Sequence, residues 1–302
     1  MKKHVWLLLA VLTIMAGCSK SSPSSPGTPR PPELKSRFST SRNDLKIGGY
    51  AYNPEGVTGK RPALILCTGL DASYSATEPY ALAATKLGFV SFCFDFCGGP
   101  DEKTTSLSTG TKAANSVLTE LLDLEAVYNY VAAREDVDTD NIVLMGGSQG
   151  GLVAGLYAAR HPSSFKALGL MFPAFNLPGL VRDGVQERLE GLGISDISSV
   201  PDFFFPQEFE GHKFYKKYLV DIMTLYPFEE IGTYEGPVLI LHGDADPTVP
   251  VSVSEQAAEI YEDVDFHVLS GQGHGFNAEG TTTAIEYMNE FLTAKVLSTL
   301  EE

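Results

Sequence analysis

Seven residues, Met145-Gly146-Gly147-Ser148-Gln149-Gly150-Gly151, place one serine between two pairs of glycines and contain the pattern G-x-S-x-G. The pattern is short: with 29 glycines in 302 residues, chance supplies about 0.2 copies. Its surroundings give it meaning. It follows an apolar run, Ile142 to Met145, and opens a stretch rich in small residues, Gln149 to Arg160, that reads as a helix. A sharp turn from strand to helix raises the Ser148 hydroxyl above the end of a sheet, where it can serve as a nucleophile. Gly146 and Gly150 are needed there because a Cβ would clash across the turn. A helix starting at Gln149 aims its free N–H groups and the positive end of its dipole at the same spot. A phosphate-binding turn is the other reading of such a loop, but the G-x-G-x-x-G spacing is not met from Gly146 onward.

A serine hydroxyl needs a general base, and the chain has six histidines. His4 lies in the N-terminal leader. His161 ends the helix that follows Ser148, about 18 Å away at 1.5 Å per residue. His212 lies in a long insertion, His242 at a strand end before Gly243, and His267 inside a strand pattern. His274 stands in Ser270-Gly271-Gln272-Gly273-His274-Gly275-Phe276, a loop after the last strand, and loops at the C-terminal edge of a parallel sheet are where chemistry gathers. His274 is the expected base; the alternatives are a structural role for it, with His242 or His212 as base. Imidazole holds the useful tautomer when a buried carboxylate takes its far N–H. The segment after the strand VLIL offers Asp244 and Asp246, of which Asp246 is the expected acid and Asp244 a turn residue. A metal loop there lacks third and fourth ligands at suitable spacing, and no metal or cofactor is expected.

These side chains need a scaffold, and the sequence describes one. Strand patterns at 45–52, 63–67, 89–96, 142–145, 168–172, 238–241 and 265–269 alternate with helical patterns near 79–87, 115–134, 149–160, 253–262 and 283–299. Continuous apolar strands such as ALILC predict a mostly parallel sheet covered by helices on both faces, an α/β fold. More than sixty residues between Phe172 and Val238 lack a strand pattern and predict a partly helical cap insertion after the sixth strand, about residues 174–228. Composition agrees: 43% apolar and 20% charged residues exclude a coiled coil, a disordered chain and a multi-pass membrane protein. A net charge of −16 argues against nucleic acid as a partner, and none is expected.

The first residues have another purpose. Lys2 and Lys3 precede a twelve-residue apolar run, Val5 to Ala16, too short to span a bilayer comfortably and laid out as a secretory signal. Met15-Ala16-Gly17-Cys18 resembles the bacterial lipobox, which implies a signal peptide over 1–17, lipidation of Cys18 and a membrane anchor. Ser19 after that cysteine resembles lipoproteins sorted to the outer membrane, on its periplasmic or outer face. Residues 18–37 read as a flexible Ser/Pro-rich tether and 38–302 as the folded domain. Cys67, Cys93 and Cys97 read as small buried core residues. Cys93 and Cys97, about 13 Å apart on one strand, cannot bond to each other, whereas Cys67 could pair with either.

In the order Ser148, Asp246, His274, the chain resembles the α/β-hydrolases from about residue 45 to 299. More narrowly it resembles bacterial feruloyl/cinnamoyl esterases and related short-acyl carboxylesterases. The residues that carry the likeness are Phe94-Asp95-Phe96 before Gly98-Gly99, Ser148-Gln149-Gly150-Gly151, Pro173-Ala174 and PVLILHGDADPTVP. The resemblance implies an oxyanion hole built from the Gln149 N–H and, from the loop Thr68-Gly69-Leu70, the Leu70 N–H. Two positions depart from those families: Thr68 and Gly147 stand where histidine is usual. The resemblance also implies a serine carboxylesterase acting on small-molecule or polysaccharide-linked acyl esters, with feruloyl esters of plant polysaccharide as a candidate substrate. Phe203, Phe204, Phe205, Phe209, Phe214, Tyr215 and Tyr218 either line an aromatic acyl pocket or pack the cap onto the body. Residues 38–60 are too few for the propeller of prolyl peptidases, so ester hydrolysis comes first. The alternatives are an acetyl or short-chain esterase, a thioesterase, a peptidase of the same fold, or a non-catalytic binding lipoprotein.

Overall fold

The computed structural model describes residues 34–56, 58–209 and 211–300, apart from the side chain of Phe209. The expected signal peptide, the lipidated Cys18 and the tether up to residue 33 lie outside the described residues. Chain order begins with strands β1 (Lys35–Arg42), β2 (Leu45–Tyr52) and β3 (Arg61–Cys67), then helix α1 (Glu78–Lys86) and β4 (Val90–Phe94). Helix α2 (Val117–Ala132), β5 (Val137–Gly147), α3 (Gln149–Arg160) and β6 (Ala167–Met171) follow. The cap holds α4 (Leu177–Gly191), the short strands β7 (Gln207–Phe209) and β8 (His212–Phe214), α5 (Lys216–Ile222) and α6 (Pro227–Glu230). The chain then returns to the sheet with β9 (Val238–Gly243), α7 (Ser252–Ala258), β10 (Val264–Leu269) and α8 (Ala278–Lys295).

Eight strands form one sheet in the order β1-β2-β4-β3-β5-β6-β9-β10. The pairs β1–β2 and β2–β4 are antiparallel and every other neighbour pair is parallel. The central strand β3 shows why its sequence is apolar throughout. Ala63, Ile65 and Cys67 enter one core, and Leu64 and Leu66 enter the other. Helices α2 and α3 cover the first face through Leu121, Leu124, Val127, Leu152, Val153 and Leu156. Helices α1 and α8 cover the second through Tyr80, Ala84, Met288, Phe291 and Leu292. Helix α2 is closed at its start by Ser116 and Thr119 in a reciprocal capping box. Cys67 and Cys97 lie in one core and Cys93 in the other; all three are buried and free.

The structure corrects the sequence reading at three places. Strand β1 starts at Lys35, so residues 35–37 are not tether: they pair with β2 residues 50–52. Lys35 is held there over the Tyr50 ring, 4.3 Å from its centroid, and by Glu78. The cap, expected to be helical in part and without strands, contains β7 and β8 in a two-stranded antiparallel ladder. The last helix starts at Ala278, five residues earlier than the pattern predicts, with the Asn277 side chain capping the Gly280 N–H at 2.9 Å.

Candidate active site

The C-terminal ends of β3, β5, β9 and β10 lie along one edge of the sheet, and each feeds a loop carrying an expected site residue. Strand β5 runs straight into Ser148, whose backbone has φ 54° and ψ −124°. A non-glycine residue is strained there, and neighbouring groups hold it in place. The Ser148 N–H donates to Met171 O at 2.9 Å, and the Ser148 carbonyl accepts from Gly151, Leu152 and Ala174. A Cβ on Gly146 would overlap the Gly150 carbonyl, and one on Gly150 would overlap the carbonyls of Cys67 and Thr68. The glycines flanking the serine therefore allow β5, α3 and the loop after β3 to meet.

His274 arrives from the loop after β10. Its Nε2 lies 2.9 Å from Ser148 Oγ and its Nδ1 lies 2.7 Å from Asp246 Oδ2. Asp246, whose side chain is 0% exposed, accepts two backbone amides on Oδ1, Thr248 N at 2.8 Å and Val249 N at 2.9 Å. Those amides fix which carboxylate oxygen faces the imidazole. The Phe172 ring packs edge-on to His274 with centroids 4.7 Å apart. Asp244, expected as a turn residue, accepts the Gly271 N–H at 2.6 Å and ties the two loops together.

The other described histidines are engaged elsewhere. His161 stacks on Tyr157, and His267 stacks on Tyr287 and contacts Asp265. His242 is buried behind Asp246, with Nδ1 2.7 Å from Ser254 Oγ and Nε2 2.9 Å from Val249 O. Burial holds its pKa below the usual imidazole range. A neutral ring with its proton on Nε2 satisfies both contacts, since a carbonyl can only accept. His212, on β8, bonds Asp71 at 2.5 Å rather than Ser148.

The loop Thr68-Gly69-Leu70 crosses over the serine: a Cβ on Gly69 would stand 3.3 Å from Ser148 Cβ. Gln149 is the first residue of α3, whose leading N–H groups have no partner within the helix. Among the described residues neither the Gln149 nor the Leu70 amide donates to another protein group. Both amides belong to segments that meet at Ser148: Gln149 follows it in the chain, and Leu70 follows Gly69, which packs against its side chain.

The aromatic residues of the cap divide. Phe203 and Phe204 are 79% and 55% exposed, their rings tilted against each other with centroids 4.4 Å apart. Phe205 and Tyr215 line a cavity of about 510 Å³ with Lys216, Lys217 and Val220, and neither Ser148 nor His274 borders it. Phe214 and Tyr218 are buried and in ring contact. Of the six whose side chains are described, Tyr218 bonds to the residue after Ser148, donating its hydroxyl to Gln149 Oε1 at 2.5 Å; the Phe209 side chain lies outside the described residues.

Behind Gln149 lies a group that the sequence reading missed. Gln149 Nε2 donates to Glu120 Oε2 at 2.8 Å, and Asn115 Nδ2 donates to Glu120 Oε1 at 3.1 Å. A carboxylate on the apolar side of an amphipathic helix is the signal that would have found it. Burial pushes the Glu120 carboxyl from its ordinary 4.5 up to about 7; bonds from Gln149 and Asn115 and the charge of Lys112 pull it down, and Asp123 pushes it up. The folded state thus binds this proton more tightly than the unfolded chain. The resulting stability is full below the unfolded value of 4.5 and is lost as pH rises through about 7. Between pH 5 and pH 8 the loss from this one group is roughly 2–3 kcal/mol. Urea unfolding at the two pH values should show Glu120→Gln losing that much less stability than the wild type. An equal pH dependence in both proteins would refute the assignment.

This sheet order, with a serine on the β5–α3 turn and its histidine and aspartate partners on the loops after β10 and β9, is the α/β-hydrolase fold. The chain belongs to the prolyl oligopeptidase family, Peptidase_S9, whose family model matches residues 73–297. The structure titled "Ferulic Acid bound to Est1E from Butyrivibrio proteoclasticus" is similar with a TM-score of 0.71 and 25% identity, over 84% of this chain and 98% of that one. An uncharacterized protein of Mycobacterium tuberculosis (strain ATCC 25618 / H37Rv) is 26% identical over 236 residues, 77% of this chain and 69% of the relative. "Probable acetylxylan esterase A" of Aspergillus clavatus is 25% identical over 171 residues, 53% of each chain.

Proposed function

We propose that the protein is a serine carboxylesterase that works through an acyl-enzyme. The observation that carries this reading is the continuous chain of hydrogen bonds from Asp246 through His274 to Ser148 Oγ, at 2.7 and 2.9 Å, on a strained turn beside two free amides. Ser148 Oγ attacks the acyl carbon while His274 Nε2 takes its proton. The Leu70 and Gln149 amides stabilise the oxyanion, a contribution worth about 3 kcal/mol per donor in comparable sites. His274 returns the proton to the departing alcohol. It then takes a proton from a water molecule whose oxygen attacks the acyl carbon, and passes that proton to Ser148 Oγ as the bond to the acyl group breaks and the acid leaves. Asp246 stays ionised throughout and stabilises the imidazolium.

Esters of phenolic acids are the proposed substrates. Support comes from the likeness to the ferulic-acid-bound Est1E over almost all of that chain, and from the partial likeness to the acetylxylan esterase. The lipobox-like Met15-Ala16-Gly17-Cys18 supports a lipid anchor at Cys18 and a place at the bacterial outer membrane. A kinetic panel of p-nitrophenyl acetate, p-nitrophenyl butyrate, methyl ferulate and a prolyl anilide tests the substrate class. Ser148-dependent turnover of methyl ferulate is expected. Turnover confined to acetate would remove the phenolic assignment, and preference for the anilide would make the protein a peptidase.

A further inference from the structure

Gln149 and Leu70 supply the two amides beside Ser148, and one short piece of the cap reaches the neighbourhood of both. On the Gln149 side, the buried Tyr218 hydroxyl donates to Gln149 Oε1 at 2.5 Å while Gln149 Nε2 donates to Glu120 at 2.8 Å. The amide side chain is thus held at both ends, between the cap and α2. Its backbone N–H shares a peptide plane with the Ser148 carbonyl, which Gly151, Leu152 and Ala174 hold, and the two side-chain bonds fix the residue on the far side of that plane. The phenol has its donor committed to Gln149 and is buried.

On the Leu70 side the restraint passes through the next residue. Asp71 has φ 60°, in the left-handed region. Its backbone carbonyl accepts the Asp101 N–H at 2.9 Å. Its carboxylate is shared between Lys112 on one oxygen and His212 Nδ1, at 2.5 Å, on the other. Lys112 is itself tied to Gly99 O at 2.6 Å. The Phe214 ring joins the two cap contacts, lying 6.3 Å from the His212 ring and 5.2 Å from the Tyr218 ring.

We propose that the cap segment from His212 to Tyr218 is a brace that positions both oxyanion donors, Tyr218 acting through Gln149 and His212 acting through Asp71 on the Leu70 turn. This rests on the esterase reading above, with those two amides as the donors. Tyr218 and His212 are then positioning residues rather than lining for the acyl group. Displacing a donor weakens binding of the oxyanion and leaves the ground-state ester almost untouched, so the loss falls on kcat.

The test is steady-state kinetics of Tyr218→Phe, Gln149→Ala, the double variant and His212→Asn on p-nitrophenyl acetate and methyl ferulate, with thermal melts as a fold control. For Tyr218→Phe, kcat should fall about tenfold on both esters with KM within about twofold. The double variant should be no slower than Gln149→Ala alone, because both substitutions act on one amide. His212→Asn, at a side chain 41% exposed and therefore tolerant of change, should lower kcat on both esters about threefold. A loss seen only with methyl ferulate, or seen in KM, would overturn the brace in favour of an acyl-pocket role. An additive double variant, or unchanged kcat in folded Tyr218→Phe and His212→Asn, would overturn it outright. Failure of the esterase reading is a different result: no Ser148-dependent turnover by the unsubstituted protein.

Discussion

Replacing Ser148 with alanine should lower kcat for ester hydrolysis by about 10⁶-fold while the protein stays folded. The hydroxyl makes one contact that alanine loses, the 2.9 Å bond to His274. The backbone contacts that hold the turn, from Ser148 N to Met171 and from Ser148 O to Gly151, Leu152 and Ala174, do not involve the side chain. His274 keeps its bond to Asp246 and its packing on Phe172. Without the nucleophile the remaining machinery can act only on water, with the free amides and substrate positioning supplying about 10³–10⁴ over the uncatalysed rate. Stopped-flow hydrolysis of p-nitrophenyl acetate should show no burst of p-nitrophenol from Ser148→Ala, with a melting curve matching the wild type. A retained burst would move the nucleophile elsewhere.

The second large effect is expected from Asp246→Asn, about 10⁴-fold in kcat. Its cause is legible in the hydrogen bonds. Oδ1 accepts two backbone amides, Thr248 N and Val249 N, so an asparagine must place its carbonyl oxygen there. Its NH₂ group then faces His274 Nδ1, 2.7 Å from the present Oδ2. Nδ1 becomes an acceptor, the imidazole proton moves to Nε2, and the nitrogen facing Ser148 can no longer take a proton. Pre-steady-state kinetics on p-nitrophenyl acetate should show a slowed acylation phase. An acylation rate within tenfold of wild type would mean that another group sets the tautomer.

How much of this was readable in advance follows from how local each signal is. Ser148 announces itself because strand, turn glycines and helix are contiguous. Asp246 and His274 stand in short polar or Gly-rich segments directly after apolar strands, so their place at the sheet edge follows from the strand pattern alone. Strand β1 was missed because KSRFSTSR buries one residue, Phe38, and an edge strand facing solvent shows little apolar alternation. Strands β7 and β8 have three residues each, too few to show a period. Phe203 and Phe204 were read from residue type, whereas their exposure depends on which way one turn of the cap faces. Glu120 and Asp71 draw their meaning from partners 29 and 141 residues away, and no local pattern carries such information.

The most direct measurement is labelling of the folded protein with a fluorophosphonate, read by intact mass and by mapping of the modified peptide. One adduct per chain on Ser148 is expected, absent from Ser148→Ala and formed far more slowly by Asp246→Asn. Folded protein that takes no label, or takes it on a different side chain, would contradict the assignment of Ser148 as an activated nucleophile.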